Sequence, residues 1–128
     1  MKRASQKLGR WGERLALWLL TLKGYRLRHR NWRGPGGELD LVMSRRGEIV
    51  FVEVKTRTTT LFGGGEAAVD REKQQHMVRA AAAYLGRFNL WEAPCRFDVV
   101  TVLRRPRFPY WRLRHMSNAF CPNLGRRF

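Results

Sequence analysis

Glu38-Leu39-Asp40-Leu41-Val42-Met43-Ser44, a turn at Arg46-Gly47, and Glu48-Ile49-Val50-Phe51-Val52-Glu53-Val54-Lys55 together decide how this chain is read. Two runs rich in β-branched and apolar residues around a short Gly-containing turn predict a β-hairpin. Pairing the strands about Arg46-Gly47 sets opposite each other the positions that sum to 93, so Asp40 is expected to face Glu53. Lys55 is expected on the same face, opposite Glu38. Both faces near the turn are apolar, which places the hairpin centrally in a sheet with its charges at the open end. Like charges directly opposite each other destabilise a hairpin, so two facing carboxylates call for a cation between them. Mg²⁺ takes oxygen ligands and is commonly held by one or two carboxylates plus phosphate, and Mn²⁺ serves as an alternative.

Acids are otherwise scarce. The 128 residues carry 26 Lys and Arg against 10 Asp and Glu, a formal charge of +16. Residues 1 to 37 hold ten Lys or Arg and one acid, Glu13, and residues 104 to 128 hold seven Arg and no acid. A charge of this size on a small folded domain implies a polyanionic partner, of which nucleic acid is the commonest. A membrane surface or ribosomal RNA would satisfy the charge equally, so charge names a class of partner and no reaction. No apolar run approaches the ~20 residues of a membrane span, and no signal peptide is read at the N-terminus, so a cytoplasmic location is expected. Cys95 and Cys121 have no metal-ligand spacing.

Outward from the hairpin, a first helix is predicted from a Ser5 cap to Lys23, stopped by Gly24. Leu8, Trp11, Leu15, Trp18, Leu19 and Leu22 form its expected buried stripe. Tyr25 to Arg30 alternates as a strand, and Gly34-Pro35-Gly36-Gly37 is a turn. A Thr- and Gly-rich loop from Thr56 to Gly65 precedes a second helix, from Ala67 or Asp70 to Leu85. Strands follow at Arg96 to Leu103 and Trp111 to His115. The order α-β-β-β-α-β-β predicts one α/β domain over residues 1–128, its core about residues 5–120, with a mixed sheet and central hairpin flanked by two helices. Most of the five Trp are expected in the core.

The chemistry expected of Asp40, Glu53 and Lys55 is phosphodiester hydrolysis. The carboxylates hold the cation, and Lys55 orients water or offsets charge in the transition state. The alternative is an edge hairpin with solvated cross-strand ion pairs. Glu38 is either an outer partner that holds Lys55 or a loop-end glutamate paired with it. Lys73 either reaches phosphate beside the metal or lies on a solvated helix face. Trp32-Arg33 and the run from Arg104 to Arg114 interleave aromatic and cationic residues, the pattern of phosphate contacts with base stacking. Arg10, Arg33 and Arg57 join Lys73 as candidate nucleic-acid contacts.

Several stretches resemble the bacterial YraN family. They are Gly12-Glu13 with Ala16, Asn31-Trp32, Gly37-Glu38-Leu39-Asp40, Phe51-Val52-Glu53-Val54-Lys55-Thr56-Arg57, Phe62-Gly63, Lys73, Ala82 with Tyr84-Leu85, Arg96-Phe97-Asp98-Val99-Val100 and Asn118-Ala119-Phe120. The ordered set runs from about residue 9 to 120. The resemblance implies a restriction-endonuclease-like core, close in pattern to archaeal Holliday-junction resolvases. Asp40, Glu53 and Lys55 match its Asp…Glu-x-Lys motif, with Leu39 where the wider superfamily usually has Pro. Glu13 matches the first-helix glutamate that resolvase-like nucleases use on the metal; the bland reading is a surface acid balancing Arg10 and Arg14. The resemblance implies a DNA-binding, Mg²⁺-dependent endonuclease acting on branched or structured DNA, and a homodimer is plausible for symmetric cutting. The rival expectation is a nuclease fold kept only for nucleic-acid binding.

Overall fold

The computed structural model describes residues 2–58 and 70–121, with side chains from residue 9 onward. Its elements are α1 (Lys2–Leu22), β1 (Arg26–Gly34), β2 (Gly37–Arg45), β3 (Glu48–Thr58), α2 (Arg71–Arg87), β4 (Cys95–Arg104) and β5 (Trp111–Phe120). The strands form one mixed sheet in the order β1-β2-β3-β4-β5. All neighbours are antiparallel except β3 and β4, which run parallel and are joined by the crossover containing α2. The predicted element order therefore holds, as does the central place of the β2–β3 hairpin.

The hairpin turn follows from two residues. Arg46 and Gly47 have φ of 51° and 81°, the left-handed pair of a two-residue turn whose twist matches the flanking strands. That turn fixes the register Arg45↔Glu48 through Leu41↔Val52, the expected sum of 93. Alternation then sends side chains to opposite layers. Ile49 and Phe51 pack with Met77, Ala80, Ala81, Tyr84 and Leu85 of α2, while Val50 and Val52 pack with Ala16 and Leu20 of α1. Each helix covers one face of the sheet.

The first helix buries only part of the expected stripe: Leu15 and Leu19 pack against the core, and the Leu8 side chain lies outside the described residues. The helix begins at Lys2, so Ser5 lies inside it and is no cap. Gly12, Ala16 and Leu20 turn inward, whereas Trp11 (53% exposed), Trp18 (59%) and Leu22 (66%) face outward. The reason is steric. Gly12 rests on β3, where a Cβ would run into the Thr56 hydroxyl, and such an approach requires the small residues of the helix beneath. Beside Thr56 there is no room for a larger side chain, whereas Leu20, two turns on, is accommodated. The expectation of a mostly buried Trp set fails too: Trp91 is also exposed, and Trp32 and Trp111 are half-buried.

The second helix starts where Asp70 caps it, its carboxylate accepting from the Lys73 N–H at 2.8 Å. It runs past Gly86 to Arg87. The glycine-rich loop expected between Thr58 and Gly65 and the motif Phe62-Gly63 lie, apart from Thr58, outside the described residues. No helix among the described residues is long and apolar enough to cross a membrane.

Candidate active site at the open end of the hairpin

Hairpin pairing stops at Leu41↔Val52, one step short of the expected Asp40–Glu53 pair. Leu39 packs in the α2 layer although Leu41 and Met43, of the same parity, pack in the α1 layer, so β2 turns over at Asp40. The Asp40 carboxylate takes the place of the missing ladder carbonyl and accepts the Val54 N–H at 2.9 Å. This side-chain bond pins the acid against β3 and satisfies a backbone donor that the divergence would otherwise leave open.

Asp40 and Glu53 nonetheless meet, through side chains. Glu53 is nearly buried, and its carboxyl is hydrogen-bonded to that of Asp40. Burial first, and then the Asp40 charge, push the Glu53 carboxyl up to about 7. Asp40 is also raised, chiefly by burial, with the Val54 N–H and the Lys73 charge opposing. In the hydrogen bond between them Glu53 is the carboxyl favoured to carry the proton and Asp40 the acceptor. The Lys73 ammonium stands 3.4 Å from Glu53 Oε1, placed there by the capped first turn of α2. Lys73, expected either at phosphate or on a solvated helix face, is thus drawn to the Glu53 carboxyl.

Glu13 approaches from the seam that Gly12 creates. Its carboxyl is raised, mainly by burial, and it feels the negative charges of Asp40 and Glu38. The Asn31 side chain donates a hydrogen bond that favours its ionised form. Asn31 was not a sequence candidate; its signal is backbone, since it holds a left-handed φ of 49° inside β1, a position Asn tolerates. Glu38 has a partner on β1. It lies opposite Arg33 on β1 and pairs with it at 3.6 Å, because β2 follows β1 beyond the divergence.

Lys55 lies two residues beyond Glu53 on β3 and half-buried. Arg10, Arg33 and Arg57 are exposed. Asp98 belongs elsewhere: fully buried in the α1 layer, it accepts from Arg96 Nε at 2.9 Å, His115 Nε2 at 2.7 Å and the Asn118 N–H at 2.9 Å. Burial works to raise its pKa, but these donors outweigh it and hold the group low. It is a structural anchor for β5.

The donor set suits a hard divalent cation. The buried Glu53 and half-buried Asp40, whose proximity raises the Glu53 carboxyl, offer oxygen ligands whose repulsion such an ion would relieve. Among the described residues no group of three or more His, Cys, Asp and Glu stands ready as a cage. Asp40 and Glu53 are the two acids that could face such an ion, with Glu13 within electrostatic reach of Asp40.

A profile of the uncharacterised protein family UPF0102 matches residues 12–102, which include Glu13, Asn31, Glu38, Asp40, Glu53, Lys55 and Lys73. The chain belongs to UPF0102. A UPF0102 protein of Bacteroides thetaiotaomicron is 45% identical over 118 residues, covering 92% of this chain and 95% of the relative. One from Stutzerimonas stutzeri is 48% identical over 99 residues, covering 77% and 82%. A third, from Caldanaerobacter subterraneus, is 38% identical over 122 residues and is covered in full, as is 94% of this chain. This is the YraN family that the sequence motifs resemble. The similarity to full-length UPF0102 relatives extends over α1, the hairpin and the crossover alike.

Proposed function

We propose that this UPF0102 chain is a restriction-endonuclease-like, metal-dependent nuclease that binds DNA and hydrolyses a phosphodiester bond. Branched or structured DNA is the substrate class favoured by the resolvase-like motif pattern. One observation carries the reading: a buried Asp40–Glu53 carboxyl pair at the open end of a central hairpin, with Lys55 on the same strand face as Glu53. Asp98 is satisfied by several donors, whereas Asp40 and Glu53 share one ammonium, Lys73, and keep raised carboxyls, the arrangement expected of a site that takes a ligand. Mg²⁺ or Mn²⁺ held by Asp40 and Glu53, with Glu13 as a further ligand, would supply Lewis-acid chemistry at the scissile phosphate. The chain's own residues do the rest. Asp40 is fixed by the Val54 N–H, the Asn31 hydrogen bond favours the ionised form of Glu13 against its burial, and Lys55 offsets charge that develops in the transition state.

A second reading, a nucleic-acid-binding module without turnover, is favoured by Lys73, whose ammonium already compensates Glu53. A panel of four-way junction, flap, duplex and single strand, each with Mg²⁺, Mn²⁺ or EDTA, separates the two. Cleavage of at least one substrate with metal and none in EDTA is expected. Lys55→Ala should then lower the rate about a hundredfold or more, roughly 3 kcal/mol in the barrier, with DNA affinity nearly unchanged. Tight junction binding without cleavage under either metal would leave the binding module.

A further inference from the structure

The six residues 105–110 that join β4 to β5 form a projecting tip, closed by the Arg105 N–H donating to the Tyr110 carbonyl at 2.7 Å. Phe108 at its end is 82% exposed and Tyr110 53%, their rings edge to face at 6.0 Å between centroids. Arg105 and Arg107 lie in the tip and Arg104 at its base, the last over the face of Trp111 at 5.0 Å. From Arg104 to Cys121 the sequence contains no acid. Apolar rings left in water in a loop with no packing role need a partner, and the cations around them specify an anionic one.

Topology says where that partner would lie. Strands β3 and β4 are parallel, and Lys55, Arg57 and Thr58 pair with Thr101, Leu103 and Arg104. The tip therefore leaves the sheet at the end that carries Lys55 and the carboxyl pair. Gly12 of α1 packs on Thr56 at this same end, which brings the exposed Arg10, Trp11 and Arg14 of that helix turn to it. A polyanion crossing the carboxylates meets the tip next.

We infer that the β4–β5 tip engages unpaired bases of DNA, with Phe108 and Tyr110 stacking on exposed base faces and Arg104, Arg105 and Arg107 contacting the adjoining phosphates. The inference rests on the nucleic-acid reading above and specifies which feature of the substrate is read: unpaired bases next to the scissile duplex. Fully paired duplex buries its base faces in the helical stack and offers rings of this kind only an entropic and unstacking cost, whereas junctions, flaps and bulges present free ones.

The experiment is equilibrium binding in EDTA, so that cleavage plays no part. Its ligands are a blunt duplex, the same duplex with a single-stranded extension or a bulge, single-stranded RNA, and vesicles of anionic phosphatidylglycerol. 2-Aminopurine in the unpaired segment reports stacking. Wild type should prefer DNA with unpaired bases and quench the 2-aminopurine. Phe108→Ala/Tyr110→Ala should lose that preference by about tenfold or more, keep duplex affinity within about twofold, and leave the fluorescence unquenched. Both side chains are largely in water, so the variant keeps its fold, checked by an unchanged melting temperature. Arg105→Ala/Arg107→Ala should instead weaken every DNA ligand alike. An undiminished preference in the aromatic variant overturns the inference. So does an effect confined to vesicles or to RNA. Absence of all DNA binding by wild type removes the nuclease reading as well, while a tip-dependent preference without cleavage under any metal removes hydrolysis alone and leaves the tip.

Discussion

Asp40 does two jobs that a substitution can separate. Its carboxylate accepts the Val54 N–H, and its charge, after burial itself, raises the Glu53 carboxyl. Asp40→Asn keeps an oxygen for the N–H and removes the charge, so the metal-free protein should be as stable as wild type or more so while losing Mg²⁺ binding. Asp40→Ala leaves the N–H without its acceptor and should cost about 1–3 kcal/mol in urea denaturation. Equal destabilisation by both would show that the hydrogen bond is of no consequence. Glu53 gives a pH dependence of definite sign. Its folded-state pKa of about 7 lies above the ordinary 4.5, so between those values the folded chain binds the extra proton. Stability from this group is full below about 4.5 and is lost as pH rises through 7, by on the order of 2–3 kcal/mol. Thermal melts of the metal-free protein should fall across that window, and those of Glu53→Gln should stay flatter. On the proposed metal-binding reading, Mg²⁺ should reverse the order, because a bound ion would displace the proton, and should stabilise wild type more at pH 8 than at pH 5.5. The acids themselves were legible in the sequence from turn chemistry and parity. Their true contact was not, since it depends on β2 leaving β3 at Asp40, and no local pattern encodes that divergence.

Among the elements, α1 shows where periodicity misleads. Large apolar side chains occupy both sides of this helix, and a stripe chosen by size selects Trp11, Trp18 and Leu22, which face water. The inner stripe is marked by smallness instead, at Gly12 and Ala16, and Leu17 and Leu20 complete it. Glu13 shares that inner side, which brings it within reach of Asp40. A close seam of this kind predicts strong coupling. Gly12→Ala should destabilise the protein by about 1–3 kcal/mol, since the new methyl meets the Thr56 hydroxyl and the helix must move off β3. Thr56→Ala removes the obstructing atoms, so the double variant should recover much of that loss; simple additivity in the double-mutant cycle would argue against the seam. The other elements were accessible from sequence because β-branched runs, the Arg46-Gly47 turn and the Asp70 cap each act locally. Strand ends were longer than read, β5 reaching Phe120, because Asp98 and its partners hold a polar stretch in the sheet.

For the whole molecule, a charge of +16 predicts that any binding to DNA is dominated by counterion release. Affinity should fall steeply with salt, with a log–log slope on the order of 4 to 8, and a flat response in a titration from low to moderate salt would sink the nucleic-acid reading. Composition made the class of partner legible; the geometry that brings Arg10, Arg57, Arg104 and the β4–β5 tip to one end of the sheet emerges only when the parallel β3–β4 pair is in place. The outward turn of the indoles has an optical consequence. With Trp11, Trp18 and Trp91 exposed and Trp32 and Trp111 half-covered, native emission will already lie at the long wavelengths of water-bathed indole. Unfolding will shift it little, and acrylamide will quench the folded protein nearly as well as the denatured chain. Far-ultraviolet dichroism is the better probe of its denaturation, and the fluorescence is left free to report what comes to rest against those rings.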